Sequence, residues 1–284
     1  LPAGAISLGW FSGDPKMCEC ETPPPKRKTC DEMRQSLRKM GRKTSGVKAE
    51  LEERLDEVLN TNDKGWARIV GATCECFTYL ASGAHRHVYQ GFYTKGPRKG
   101  QGAVKKEFKT GSVFENSFFN EDIKATRAAQ SMIGAFNTLQ NRKKVYLNEP
   151  KVWKSVQPDS AGRHAKCLVE PLIQGEYHKF NSNTAYIVED FHTMQALSHF
   201  SYHHSGGQRL LCDLQGGYYD DFYVLTDPVI CSVEKAFGAT DLGLDGIENF
   251  FGYHRCNHLC GSHWLKPRQP VRRFQPMAGT TFCR

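Results

Sequence analysis

LLCDLQGGYYDDFYVLTDP, residues 210–228, runs an apolar triplet into an aspartate and then into a glycine-rich, acidic stretch. Leu210, Leu211 and Cys212 read as a short buried strand that runs into a turn. That reading leaves Asp213 at a sheet edge, where a ligand can reach its carboxylate. Gln215 and Asp227 stand on the same turn-rich loop, and hard oxygen donors of this kind suit magnesium. The plain alternative is ordinary turn chemistry, because Asp-Pro and Asp-rich loops form turns without any ligand.

Upstream, GAHRHVYQG (83–91) and AVKKEF (103–108) sharpen the choice. A hairpin running from Gly83 to Gly91, followed by a lysine on a strand, is how the phosphates of a nucleotide are commonly roofed and countercharged. Arg86 and Lys106 are the candidate cations, with Lys105 as the rival for the second role. Phosphoryl transfer needs a metal on the phosphates, a lysine countercharge and a carboxylate that orients the acceptor. Asp213, Gln215, Asp227 and Lys106 together supply those parts.

The surrounding pattern gives the fold class. ATCECFTYLA (72–81), HRHVYQGFYT (85–94) and GAVKKEF (102–108) read as strands of a meander. Residues 111–139 read as one long helix with Phe114, Phe118, Ile123, Ala128 and Met132 facing inward. KCLVEPLI (166–173) and AYIVEDF (185–191) read as strands, TMQALSHFSYHHS (193–205) and LDGIENFFGYHRCNHLC (244–260) as helices. A strand-rich first half followed by a mixed second half predicts an α+β fold with two lobes. There is no internal repeat.

FFGYHRCNHLC (250–260) places His254, Cys256 and Cys260 within seven positions. On a helix, the i, i+4 spacing of the two cysteines would point both sulfurs from one face. Three ligands fall one short of the four that a closed structural zinc site takes.

With 284 residues, 39% hydrophobic and 11% aromatic, the chain has ample material for a folded core. No apolar run reaches the roughly 18–20 residues that a membrane helix requires, so no membrane association is expected. The opening LPAGAISLGWF lacks the basic start of a secretory signal. The chain also begins without methionine, as a fragment or a processed product would. Eleven cysteines among many lysines and histidines suggest free thiols in a reducing compartment rather than a disulfide framework.

The formal charge of +8 is concentrated near the start, where Lys26 to Arg54 hold ten basic and five acidic residues. A basic pole of this kind suits a polyanion partner. Residues 1–29 read as a proline-rich basic linker, in which PPPKRK (23–28) has the look of a nuclear import signal. Residues 30–61 then read as two short amphipathic helices around a basic loop containing Gly41 and Gly46. Leu37, Gly41, Thr44, Gly46, Lys48, Leu51 and Leu55 give this segment a pattern that resembles the SAP motif, a DNA-binding module. Arg42, Lys43 and Lys48 are its candidate phosphate contacts, with salt-dependent affinity as the expected signature.

From residues 66 to 267 the ordered motifs GAHRHVYQG, VKKEF, CLVEPLIQGEYHKFNSN, LSHF, DLQG, LTDP, FGATDLG and HRCNHLC resemble the alpha-kinase family of atypical protein kinases. The resemblance implies a two-lobed protein serine/threonine kinase acting on a protein substrate with ATP, Mg2+ and Zn2+. It implies Asp213 and Lys106 as catalytic residues, and Gln215 and Asp227 as magnesium ligands. Gly83, Arg86, Lys106, Glu170, Lys179, Asn181, Gly238, Asp241 and Gly243 match its nucleotide-binding positions, with Glu170 near the adenine. Asp122 matches a partner for Lys106. His199, in LSHF, matches the distant fourth zinc ligand beside His254, Cys256 and Cys260. Two departures stand out: the interval from Asp213 to Asp227 is long, exposing Asp220 and Asp221 to mistaken assignment, and Asp241 replaces the usual asparagine. Both keep an inactive relative serving as a nucleic-acid-tethered scaffold as the alternative. Residues 268–284 are left as a tail. The expected location is intracellular and nuclear, with the cytoplasm as the alternative.

Overall fold

The computed structural model describes residues 66–68, 72–83, 85–115, 117–140 and 142–282, together with Asp31 and Gln35, both in helical backbone. Arg42, Lys43 and Lys48 lie outside the described residues, as do the linker and the SAP-like loop.

Six antiparallel strands close into a barrel. They are β1 (Trp66–Arg68), β2 (Ala72–Ser82), β3 (Arg86–Lys95), β4 (Gly102–Phe108), β6 (Lys151–Ser155) and β7 (Lys166–Pro171), ordered β1-β2-β3-β4-β7-β6. Closure leaves no unpaired edge, which matters for strands this long. Cys74, Tyr93, Ala103, Trp153, Cys167 and Val169 fill the interior. Strand parity then decides where the charged side chains go. Val104 lies opposite Glu170 and Lys106 opposite Leu168, so these four share the outer face, while Lys105 and Val169 share the inner one.

Below the barrel, β5 (Lys144–Leu147), β8 (Tyr177–Lys179), β10 (Gln215–Tyr218) and β11 (Phe222–Thr226) form a second sheet in the order β5-β11-β10-β8. A two-stranded ribbon pairs β9 (Arg209–Cys212) with β12 (Val229–Ser232). Three helices cover these sheets: α1 (Asn120–Phe136), α2 (His192–His204) and α3 (Gly243–Tyr253). Met132, Ile133 and Phe136 of α1 pack with Met194, Leu197 and Phe200 of α2 against Val145, Tyr223 and Leu225. Ile247, Phe250 and Phe251 of α3 pack on Leu210, Cys212, Val229 and Cys231 of the ribbon. The α+β, two-lobed reading agrees with this architecture.

Four local expectations need correction. The long helix begins only at Asn120, and its buried stripe is Ala125, Ala129, Met132, Ile133 and Phe136. Phe114 and Phe118 precede it; Phe118 stacks edge-on against Phe108 at 4.8 Å instead. AYIVEDF forms no strand, only a single bridge between Asn181 and Ile187. There the Ser182 hydroxyl accepts from the backbone N–H of Thr184 at 3.3 Å and of Tyr186 at 3.2 Å, which competes with a ladder.

The interval from Asp213 to Asp227 is not a plain loop but the β10–β11 hairpin, registered from Gln215 opposite Thr226 to Tyr218 opposite Tyr223. Gly216 makes that pairing possible: its φ is +147°, and a Cβ there would lie 2.0 Å from the Val224 carbonyl oxygen. Finally, α3 stops at Tyr253, and His254 is extended at φ −65° and ψ 131°. Cys256 and Cys260 therefore sit on a loop, not on a helix.

Candidate active site

Lys106 is 4% exposed and reaches from the barrel into the cleft beneath it. Its ammonium donates to Glu170 Oε1 at 2.6 Å, Asp227 Oδ2 at 2.7 Å and Thr226 Oγ1 at 2.8 Å. Glu170 comes from the neighbouring barrel strand on the same outer face, whereas Thr226 and Asp227 end β11 of the lower sheet. Thr226 Oγ1 in turn donates to Glu170 Oε1 at 2.6 Å. Burial opposes charge on Lys106, yet Asp227 and Glu170 together raise its pKa above the ordinary lysine value. Burial also pushes Glu170 upward against the pull of Lys106. Asp227 goes the other way: burial acts to raise it, but Lys106 and Arg86 hold it below the usual carboxylate range.

Arg86, at the start of β3, donates to Asp227 Oδ1 at 3.0 Å and pairs with Asp122 on α1. Its guanidinium lies 4.4 Å over the Phe108 ring across the hairpin. Asp122 thus serves Arg86 and not Lys106, which corrects the expected pairing. Lys105 turns away to Glu107 at 2.6 Å and to the face of Tyr89, so it is not a rival for the cleft.

Lys179, Gln215 and Thr226 stand side by side across β8, β10 and β11, so their side chains share one face. Asp213 precedes this row at φ +58°, and Asp227 follows it at φ +47°. Left-handed backbone at two non-glycine residues is strain of the kind found at functional sites. Asp213 is 1% exposed, and its Oδ2 accepts from Lys179 at 2.8 Å, Gln215 at 3.2 Å and Thr280 at 2.8 Å. Burial pushes its pKa up, and Lys179 opposes that shift. Asp213 Oδ1 and Glu170 Oε2 are buried without a hydrogen bond of ordinary geometry.

Four carboxylates (Asp122, Glu170, Asp213 and Asp227) meet three cations (Arg86, Lys106 and Lys179) in this cleft. The surplus negative charge and the spare buried oxygen of Asp213, beside the Gln215 amide, fit a hard cation at that end of the cleft.

Other expected site residues are placed differently. Asn181 is fully buried, donates to Gln195 at 3.2 Å and Ser198 at 3.0 Å, and accepts from Leu214 N at 2.9 Å. Its amide is spent on fixing the backbone beside Asp213 and is not open to a nucleotide. Asp241, expected at the nucleotide, is 1% exposed. Its oxygens accept from Ser232 N at 2.7 Å, Ser232 Oγ at 2.6 Å, Gly243 N at 2.9 Å and Phe237 N at 3.2 Å. The carboxylate therefore fastens its own loop. Gly238 and Gly243 serve the same loop, with φ of +82° and +68°, the left-handed backbone that favours glycine.

Gly83 lies exposed at the hairpin tip, its carbonyl taken by Lys109 at 2.7 Å. Asp220 and Asp221 occupy the far tip of the β10–β11 hairpin, so the extra length extends away from the cleft. Thr226 was missed by sequence reasoning, although its place beside Asp227 on a strand could have pointed to it. Thr280 carried no signal.

A second constellation sits at the end of α3. Ligand atoms of His199, His254, Cys256 and Cys260 all lie within 4.8 Å of one another. Cys256 Sγ is 3.4 Å from His199 Nδ1 and 3.7 Å from His254 Nε2, and Cys260 Sγ is 3.9 Å from His254 Nε2. A tetrahedral metal with bonds of about 2.0–2.3 Å spaces its ligands roughly 3.3–3.8 Å apart, so the set fits one ion. Burial pushes His199 down to about 4 and His254 down to about 3, which leaves both imidazoles neutral and able to ligate. His199 Nε2 is oriented by the Leu265 carbonyl at 3.1 Å, the usual outer support for a metal-binding histidine.

Residues 81–260 match the alpha-kinase family, and residues 25–60 match the SAP domain. The chain belongs to the alpha-kinase family. Myosin heavy chain kinase B of Dictyostelium discoideum is 35% identical over 146 residues, which is 51% of this chain and 19% of that protein. Eukaryotic elongation factor 2 kinase of Homo sapiens is 40% identical over 102 residues, 35% of this chain and 14% of that protein. The chain thus spans less than a quarter of these relatives. The alpha-kinase domain of myosin-II heavy chain kinase A, solved in complex with AMP-PNP, aligns with a TM-score of 0.58 at 28% identity, covering 67% of this chain and 86% of that one. The same domain has been solved with ADP, at a TM-score of 0.58 and 28% identity over 66% of this chain and 86% of the other. The alpha-kinase cleft seen here is therefore of a kind that holds adenine nucleotides in a relative.

Lys106→Met leaves the buried Glu170 carboxylate without its cation and is expected to cost about 3–5 kcal/mol of stability. Adding Glu170→Gln should recover part of that loss, and urea unfolding of the four proteins of this cycle measures the coupling directly.

Proposed function

We propose that this chain is an active protein serine/threonine kinase that transfers the γ-phosphoryl group of ATP, with a SAP module that tethers it to DNA. The observation that carries the reading is the cleft itself, where Lys106 is fixed by Glu170 and Asp227 at the Thr226 end of the Lys179–Gln215–Thr226 row and Asp213 is held by Lys179 at the other. Lys106 and Arg86 supply positive charge for phosphates at the mouth of the barrel. Gln215 and Asp227, with the spare oxygen of Asp213, would hold magnesium, which when bound would neutralise charge developing on the transferred group. Asp213 Oδ2 accepts the proton of the acceptor hydroxyl, and Lys179 keeps that oxygen aimed. Thr226 and Glu170 hold Lys106 extended, so no side chain has to reorganise as the charge moves.

The inactive-scaffold alternative rested on Asp241 and on the long interval before Asp227. Asp241 is a loop fastener and the extra residues lie at a distant hairpin tip, so neither feature disturbs the cleft. The His199, His254, Cys256 and Cys260 set would hold zinc as a structural ion, because four protein ligands leave no position for substrate, and so would tie α2 to the chain beyond α3. PPPKRK together with the SAP domain supports a nuclear location, where Arg42, Lys43 and Lys48 meet DNA phosphates. No helix among the described residues is long and apolar enough to cross a membrane.

Three measurements test these assignments. Purified chain with ATP and magnesium should label a basic acceptor protein, and Asp213→Asn should lower that rate by about 10²–10⁴-fold while the melting curve stays cooperative; equal labelling by the variant would remove Asp213 from its role. Metal analysis should find one zinc per chain, and a strong chelator or Cys256→Ser should melt the region around α3 at lower temperature. Duplex DNA binding should weaken with salt, log K against log salt sloping at about −3 for three phosphate contacts, and Arg42→Ala with Lys43→Ala should flatten it.

A further inference from the structure

A cavity of about 410 Å³ opens beside the barrel, and Tyr93, Trp153 and Val169 of the barrel interior reach its lining. Its size is that of a small-molecule site. Tyr93 and Trp153 are 5% and 3% exposed, with ring centroids 5.8 Å apart and planes tilted by 56°. The Trp153 Nε1–H is buried and makes no hydrogen bond. A buried indole N–H ordinarily finds an acceptor, and one left without costs free energy. The rim carries Lys95, Arg98 and Lys151 against one carboxylate, Glu149, which pairs with Lys151. Arg98 stands exposed on the turn between β3 and β4.

Strand β7 separates this cavity from the cleft. Val169 and Pro171 line the cavity, while Glu170 between them faces the other way, to Lys106 at 2.6 Å. Lys106, Asp213, Gln215 and Asp227 take no part in the lining.

We propose that this cavity binds a small aromatic anion that carries a hydrogen-bond acceptor on the ring end remote from its charge. Each part of that class has its own source on the protein. Two aromatic rings in the lining favour a flat aromatic partner, because tilted and offset ring contacts add to plain burial. The unpaired indole N–H calls for an acceptor; an alkyl chain would fill the same space and leave it unpaired. Three cations against one carboxylate set the sign of the charge. Because that rim is solvated, the charge orients the ligand more than it tightens it.

The test titrates the full chain with quinoline-6-carboxylate by calorimetry and follows the Trp153 indole N–H by NMR. Quinoline-6-carboxylate carries its ring nitrogen opposite its carboxylate, and 2-naphthoate has the same outline without that nitrogen. One site per chain is expected, with the Trp153 N–H resonance moving downfield for the quinoline and not for 2-naphthoate. The quinoline should bind about fivefold more tightly, the ordinary worth of one hydrogen bond. Trp153→Phe should erase that preference while 2-naphthoate still binds, and Arg98→Glu should weaken both acids. If Trp153→Phe does not melt cooperatively, the N–H shift in the unaltered chain decides. A preference that survives in Trp153→Phe, or an N–H resonance that stays in place, would overturn the proposal. Neutral 2-naphthalenemethanol binding as well as the acids would overturn the anionic class, and decanoate binding more tightly would overturn the aromatic one. Displacement of the quinoline by ADP with magnesium would put it in the nucleotide cleft and remove this site, as would no binding at millimolar concentration.

Discussion

The ammonium of Lys106 holds the barrel and the lower sheet in register. Taking a lysine and a carboxylate out of water costs several kcal/mol per ion, and only good geometry with further hydrogen bonds recovers it. Here the geometry is shared between strands: Glu170 comes from the barrel, Thr226 and Asp227 from β11, and all three meet one nitrogen. Arg86 adds a second link through Asp227 and anchors α1 through Asp122. The cleft between the two sheets is thus built from the same charges that a nucleotide would meet.

That arrangement explains which parts of the site could be read from sequence and which could not. Strands β2, β3 and β4 were legible because alternation and bounding turn residues mark them locally. Lys106, Asp213, Gln215 and Asp227 were singled out by strand ends and oxygen-donor chemistry, and the structure pairs Lys106 with Asp227 and Gln215 with Asp213. The barrel partner of Lys106 was not, since Glu170 joins it only through the register of the two barrel strands, which puts both on one face, while Asp122 lies on a helix. The hairpin after Gly216 was hidden by its own turn-forming composition, GGYYDD, which reads as loop.

Asn181 and Asp241 show a different limit. Each is a polar residue in a motif of ligand-binding character, and each is consumed by backbone groups in its own neighbourhood. Sequence reports the residue type that a loop needs, not whether the polar atom faces inward or outward. The metal cluster illustrates the converse. Three members of the His/Cys cluster were clear from spacing although the predicted helix under Cys256 and Cys260 is absent, because the cluster depends on where the sulfurs arrive and not on the backbone that delivers them.

The spacing of the Lys106 contacts along the chain bears on how the protein is made. Asp227 lies 121 residues after Lys106. At roughly 5–20 residues per second, a ribosome needs about 6–24 s to supply the second carboxylate after the lysine has been added. Through that interval the nascent barrel carries its cation with an incomplete set of counterions. The parallel pairing of β5 with β11 defers the lower sheet in the same way. Completion of the cleft therefore waits until the lower sheet has been made, and a translation product that stops before Asp227 would contain the barrel strands without the second carboxylate of Lys106.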